Sequence, residues 1–252
     1  MKTECVSLLI VFFSVVLMFM ITACNSNGIQ FKSAQEQDPL PDGGTAWTPE
    51  IDRSERSLIN PPDKIPWFSG ILLRQAEKEF KKELLPGRIL TWSTDLGVAS
   101  GCLEYFIEKG AKKILEPRLL CLLRMQVSYY VSCPFAIDVN SAEYKDSRIT
   151  EEELQGLQGL KELDTIESFA EGELVALKYA VALSKTPVSF SGELLEDVRR
   201  LFSNEEIVAI AGLSAKVNYW ARLIEAWRIK PAGYTDDPLL RLDQYNTYES
   251  SK

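Results

Sequence analysis

Apolar positions along most of this chain recur with a helical period. From Asn204 to about Ile229, Ile207, Ile210, Ser214, Val217, Ala221, Ile224 and Arg228 form an i, i+3, i+7 stripe. Leu213, Trp220, Leu223 and Trp227 widen it, as in a helix that buries one broad face. Leu115 to Val131 is similarly periodic through Leu119, Leu123, Met125 or Gln126, and Tyr130. Trp67 to Leu85 predicts a helix stopped by Pro86-Gly87, and Ile89 to Lys109 predicts one or two more, ending at Gly110.

Punctuation supplies the remaining boundaries. Pro134 to about Lys145 reads as a short helix. Thr150 with Glu153 forms a capping box opening Glu151–Leu160, and Ser203 with Glu206 caps the last helix. Asp164 with Glu167 has the same spacing ahead of the Phe169–Lys185 pattern, which Thr186-Pro187 breaks. Gly192 to Phe202 is a further helix, and Pro231-Ala232-Gly233 ends the series. No stretch alternates as a strand does, so the fold class is all-α.

Outside residues 66–233 the composition changes. Residues 1–23 carry Lys2 ahead of an apolar run from Val6 to Met20, a signal-peptide layout. The run ends in Ile21-Thr22-Ala23-Cys24, similar to a bacterial lipobox, which implies cleavage before Cys24 and lipidation of its thiol. An uncleaved membrane anchor is the alternative, because Val6 to Ala23 is barely long enough to span. Both readings place the rest of the chain in the cell envelope, outside the cytoplasm and tethered to a membrane. Residues 24–65, rich in Pro, Gly, Ser, Asp and Gln, read as a flexible spacer with Trp47 as a docking candidate, and residues 234–252 as a polar tail.

Charge and composition narrow the chemistry. Net charge is −8, which argues against nucleic acid as a partner. The 252 residues include no histidine, which removes imidazole bases, His-paired nucleophiles and His-ligated metals. The five cysteines, Cys5, Cys24, Cys102, Cys121 and Cys133, show no C-x-x-C spacing, so neither a metal site nor a cofactor is expected.

Cys133 carries the reactive potential. Pro134 suits the first helical position, making Cys133 or Ser132 the N-cap. Helix-start N–H groups and the helix dipole would lower the thiol pKa there. The bland reading is a small buried residue. Asp138 is the only carboxylate within two turns and could serve as base or as a cap. Cys121 precedes Cys133 by about 18 Å of helix at 1.5 Å per residue, which argues against a disulfide between them. Cys102 reads as core, and Tyr129 and Tyr130 as packing residues.

The order of several blocks resembles the carboxymuconolactone decarboxylase superfamily, in its AhpD-like (alkylhydroperoxidase D-like) branch. The blocks are Pro117-Arg118-Leu119, Leu122-Leu123-Arg124, Cys133 with Ile137-Asp138, the TEEEL segment at Thr150–Leu154, Glu173 to Ala180, Phe202 to Val208, and Asn218 to Arg222. Together they cover about Ile89 to Gly233. The resemblance implies an AhpD-like helical bundle that homo-oligomerises through helix packing. Active members carry E…C-x-x-C-x-x-x-H and reduce hydroperoxides by thiol–disulfide chemistry, as peroxiredoxins do. Residue by residue, Cys133 matches the first cysteine, whereas Ala136, Asn140 and Cys121 stand at the second cysteine, the histidine and the glutamate.

The resemblance therefore implies a weak or one-cysteine thiol peroxidase, with a small thiol or redox protein as reductant. The alternative is a non-catalytic envelope protein keeping the fold for binding or assembly. Lactone decarboxylation ranks below both, because it relies on the missing histidine. Asn218 and Arg222 are read as tying helices or subunits together.

Overall fold

The computed structural model describes residues 57–242. The signal segment 1–23, Cys24, Trp47, most of the spacer and the end of the tail lie outside that range. Among the described residues nine α-helices follow one another: α1 Trp67–Phe80, α2 Leu85–Leu90, α3 Thr94–Ile114, α4 Pro117–Tyr130, α5 Pro134–Asn140, α6 Glu151–Leu157, α7 Glu171–Ser184, α8 Gly192–Leu201 and α9 Asn204–Ala226. Short 3₁₀ turns occupy Leu163–Thr165 and Pro238–Leu240. No strand occurs among the described residues, and none of their helices is long and apolar enough to cross a membrane.

α4 is the central element and packs against α5, α6, α7 and α9. Leu122, Leu123, Met125 and Val127 are fully buried on it, so apolar contacts surround the helix instead of lining one stripe. Each such side chain contributes roughly 1.5–3 kcal/mol of burial. One apolar cluster joins Leu122 and Met125 to Ile137, Leu154, Leu177 and Leu240, and a second joins Leu123 and Val127 to Ala176, Ile210 and Leu213. A third gathers Cys133, Phe135, Ala136, Ile89, Ala221 and Ile224.

Both capping boxes form as their sequences predict: the Glu153 N–H donates to Thr150 Oγ1 and the Glu206 N–H to Ser203 Oγ. The Asp164/Glu167 box does not form. Asp164 sits in a 3₁₀ turn, and α7 opens later, where Glu173 accepts the Ala170 N–H at 3.0 Å. Pro86 also differs from expectation. It occupies the first turn of α2 and starts that helix, because a first-turn residue needs no intrahelical N–H donor. Gly110 lies inside α3, which continues to Ile114.

The supposed polar tail belongs to the body at least as far as Leu242. Leu240 is completely buried, and Leu242 packs on the same cluster. Tyr144 donates to Asp237 at 2.8 Å, and Lys145 pairs with the same carboxylate. Two apolar residues and a few well-placed acceptors are enough to hold a segment whose overall composition is polar.

Candidate thiol site

Cys133 is set by the junction between α4 and α5. Ser132 adopts φ 53°, the left-handed conformation. The Ser132 N–H then donates to Tyr129 O at 3.0 Å and the Cys133 N–H to Ser128 O at 3.2 Å, completing a Schellman C-cap for α4. Cys133 follows as the N-cap of α5, with Pro134 in the first turn as predicted. The thiol is therefore fixed by backbone geometry on both sides.

Its electrostatics reverse the sequence expectation. Cys133 is completely buried, and loss of hydration pushes the thiol far above its ordinary value. The charge of the Glu225 carboxylate, in the last turn of α9, raises it further. The Ala136 and Phe135 N–H groups favour the thiolate but are outweighed, and no capping hydrogen bond to the side chain forms. The helix-start effect exists, but burial beside a carboxylate is stronger. Cys133 is a protonated thiol in this conformation.

Asp138 is also fully buried. Oδ2 accepts the Gly233 N–H at 2.7 Å and Oδ1 the Thr235 N–H at 2.9 Å. Both oxygens thus clasp the segment after α9. Asn140 Nδ2 donates to Ser128 Oγ at 2.9 Å, joining α5 to α4. Cys121 lies in the first apolar cluster against Met125, 3.8 Å between sulfurs, and burial raises its pKa. Cys133 belongs to the third cluster, and Cys102, Cys121 and Cys133 are all free thiols. Cys102 is half-buried.

Of the motif positions, Ala136 lies in the apolar cluster of Cys133, and Cys121 lies in another. The carboxylate that reaches the thiol is Glu225, which no local spacing marks because it comes from the far end of the chain. Asn218 Nδ2 donates to Ser184 Oγ at 2.8 Å and Arg222 to Thr186 Oγ1 at 3.2 Å, so both tie α9 to α7 and the residues just after it. Tyr129 is buried, with its hydroxyl on Leu240 O at 3.3 Å, whereas Tyr130 is exposed. Among the described residues no cluster of potential ligands could hold a metal ion.

No protein-family model matches this chain, and no curated protein is significantly similar to it. Solved structures do share its fold. The debrominase Bmp8 in its apo form superposes with a TM-score of 0.61 at 20% identity, covering 75% of this chain and 98% of that one. A cysteine-to-alanine variant of the same debrominase, in complex with 2,3,4-tribromopyrrole, gives 0.59 at 20% identity over the same shares. A peroxidase-related protein from Silicibacter sp. TM1040 gives 0.57 at 14% identity, covering 73% of this chain and 96% of that one. The all-α fold expected from the sequence is the one this chain has, and at these identities the likeness to the debrominase and the peroxidase-related protein reaches the fold alone.

Proposed function

We propose that this chain is a membrane-tethered member of the AhpD-like fold group that acts as a slow, one-cysteine thiol reductant. Cys133 is its nucleophile and Glu225 its base. The observation that carries this reading is a completely buried helix-start thiol that lies within the influence of the Glu225 carboxylate, where α9 packs on α5. A protonated thiol paired with a carboxylate needs no lowered pKa, provided the base takes the proton as the sulfur attacks. The missing histidine is then replaced by a group from another helix.

With a hydroperoxide, the sulfur attacks the distal oxygen, the O–O bond breaks, and the thiol proton passes through Glu225 to the departing alkoxide. The products are Cys133 sulfenic acid and an alcohol. An external thiol condenses with the sulfenic acid and releases water. A second external thiol then reduces the mixed disulfide and returns Cys133 to the thiol. The complete burial of Cys133 makes opening of the shell a required step, so turnover is slow. One protein of the same fold is a debrominase, and a cysteine-to-alanine variant of it is seen in complex with 2,3,4-tribromopyrrole, which is compatible with a cysteine taking part in chemistry on this fold.

The same burial favours a second reading, a non-catalytic envelope protein that keeps the fold for binding or assembly. Peroxide consumption by wild type and by Cys133→Ser separates the two. Loss of consumption in the variant supports the thiol reductant, and identical background rates support the scaffold. The tether is tested separately: Cys24→Ala should prevent processing, leaving a larger, unlipidated chain, and unchanged size would contradict lipidation.

A further inference from the structure

Fifteen large apolar side chains are exposed among the described residues, and seven of them lie between Leu58 and Leu96. On α1, Trp67, Ile71, Arg74 and Lys78 are spaced i, i+4, i+7 and i+11, which places them along one line of the helix. All four are exposed, Trp67 at 74%. Ser69, Gly70 and Leu73 are buried, so α1 already has its inner face seated. The outer line combines an indole, an aliphatic side chain and two cations.

Near the start of α3, Trp92 is 64% exposed. Its indole N–H donates to Asn60 O at 2.8 Å, which holds the incoming chain, with exposed Leu58, against this corner. The chain therefore enters its helical body through the stretch that carries seven of these exposed apolar side chains. Charge follows the same division. Residues 57–100 hold six basic and five acidic side chains, whereas residues 101–242 hold seventeen and twenty-two.

The geometry points to this face as a docking surface for an anionic lipid bilayer, an inference that rests on the lipid-anchor reading proposed for Cys24. Indole rings favour the boundary between headgroups and acyl chains. Lys and Arg beside them gain from an anionic headgroup layer, and the acidic remainder of the body is repelled from it. Thirty-two residues separate Cys24 from Ser57. If that stretch behaves as its composition reads, as a coil, its root-mean-square reach is roughly 30 Å. A lipidated Cys24 thus keeps the face close to the bilayer, and weak contacts suffice because the second encounter is intramolecular. The lipid holds the protein at the membrane, and the Trp67–Lys78 line of α1 sets which side faces it, with exposed Trp92 as a second reporter.

The test uses the full chain purified from membranes and placed in phosphatidylethanolamine–phosphatidylglycerol vesicles with bromine-labelled acyl chains, which quench tryptophan on contact. The wild type should be quenched, with at least half of the quenching lost in W67F/W92F and a clear reduction when phosphatidylcholine replaces the anionic lipid. Vesicle-bound protein whose quenching is unchanged by W67F/W92F overturns the docking surface and leaves the anchor standing. Protection of both tryptophans from aqueous iodide without vesicles assigns the face to a second copy of the chain and also overturns it. A chain that vesicles do not retain overturns both anchor and docking.

Discussion

Glu225, in the last turn of α9, sets its carboxylate charge against the Cys133 thiol at the start of α5, where the two helices pack together. The contact places an ionisable pair in an apolar shell built from Ile89, Phe135, Ala136, Ala221 and Ile224. In low dielectric such a pair keeps the thiol protonated, because a thiolate would be both poorly solvated and next to a carboxylate. The thiol's protonation and its candidate base both follow from the approach of α9 to α5.

Alkylation should reflect this. With iodoacetamide at pH 8, half-buried Cys102 should label before Cys133, which should remain largely unmodified until the fold opens. Mass spectrometry of time points reads the order. Rapid labelling of native Cys133 would show that the shell does not protect it.

Ala136 is positioned to test the missing motif. It shares the Cys133 shell and lies three residues on along α5. Ala136→Cys should restore a C-x-x-C pair that oxidises to a disulfide, removing two titratable thiols, at a packing cost of about 1 kcal/mol. Thiol counts before and after reduction measure it. Two persistently free thiols would mean the helix start cannot accommodate the bond.

Asp138 accepts two backbone N–H groups while fully buried. Asp138→Ala should cost about 3 kcal/mol, since charge-assisted bonds are lost and their donors left unpaired. Hydrogen exchange should rise selectively at Gly233 and Thr235. Uniform destabilisation without local exchange would argue against the clasp.

Glu153 and Glu108 give the fold its acid sensitivity. Burial pushes Glu153 upward, but the Thr150 N–H and Arg118 outweigh it and hold the carboxyl below the ordinary range. Burial likewise raises Glu108, and Lys216, Arg124 and Lys112 reverse the shift. A depressed folded pKa contributes stability above the unfolded value, which is lost as pH falls through the folded one. Denaturant midpoints should therefore be flat near neutrality and fall as pH drops below about 4.5. Arg118→Met should cost roughly 3–5 kcal/mol, because it leaves Glu153 buried without its cation. A midpoint unchanged at acid pH would contradict these pairings.

The helices were legible because their signals are local. Thr150 with Glu153, Ser203 with Glu206, and Pro134 after Cys133 each define an end through residues a few positions apart. The misreadings were local signals with two meanings. Pro86 fits a helix start as well as a stop, and Asp164/Glu167 has cap spacing where the chain makes a 3₁₀ turn instead. Cys133 itself could be read from the sequence, but its environment could not. Burial, the Glu225 contact and the clasp of Asp138 on Gly233 and Thr235 all depend on elements distant in sequence meeting in space.

The most direct test of the central claim compares wild type with Glu225→Gln for peroxide-dependent sulfenic acid formation at Cys133, alongside the pH dependence of its alkylation. Removing the carboxylate charge should lower the thiol pKa and speed alkylation. If Glu225 is the base, sulfenic acid formation should nevertheless fall by about 100-fold, the lower end of the contribution of a positioned base. Faster sulfenic acid formation in Glu225→Gln, in step with the larger thiolate fraction, would contradict the account and show that Glu225 only restrains the thiol.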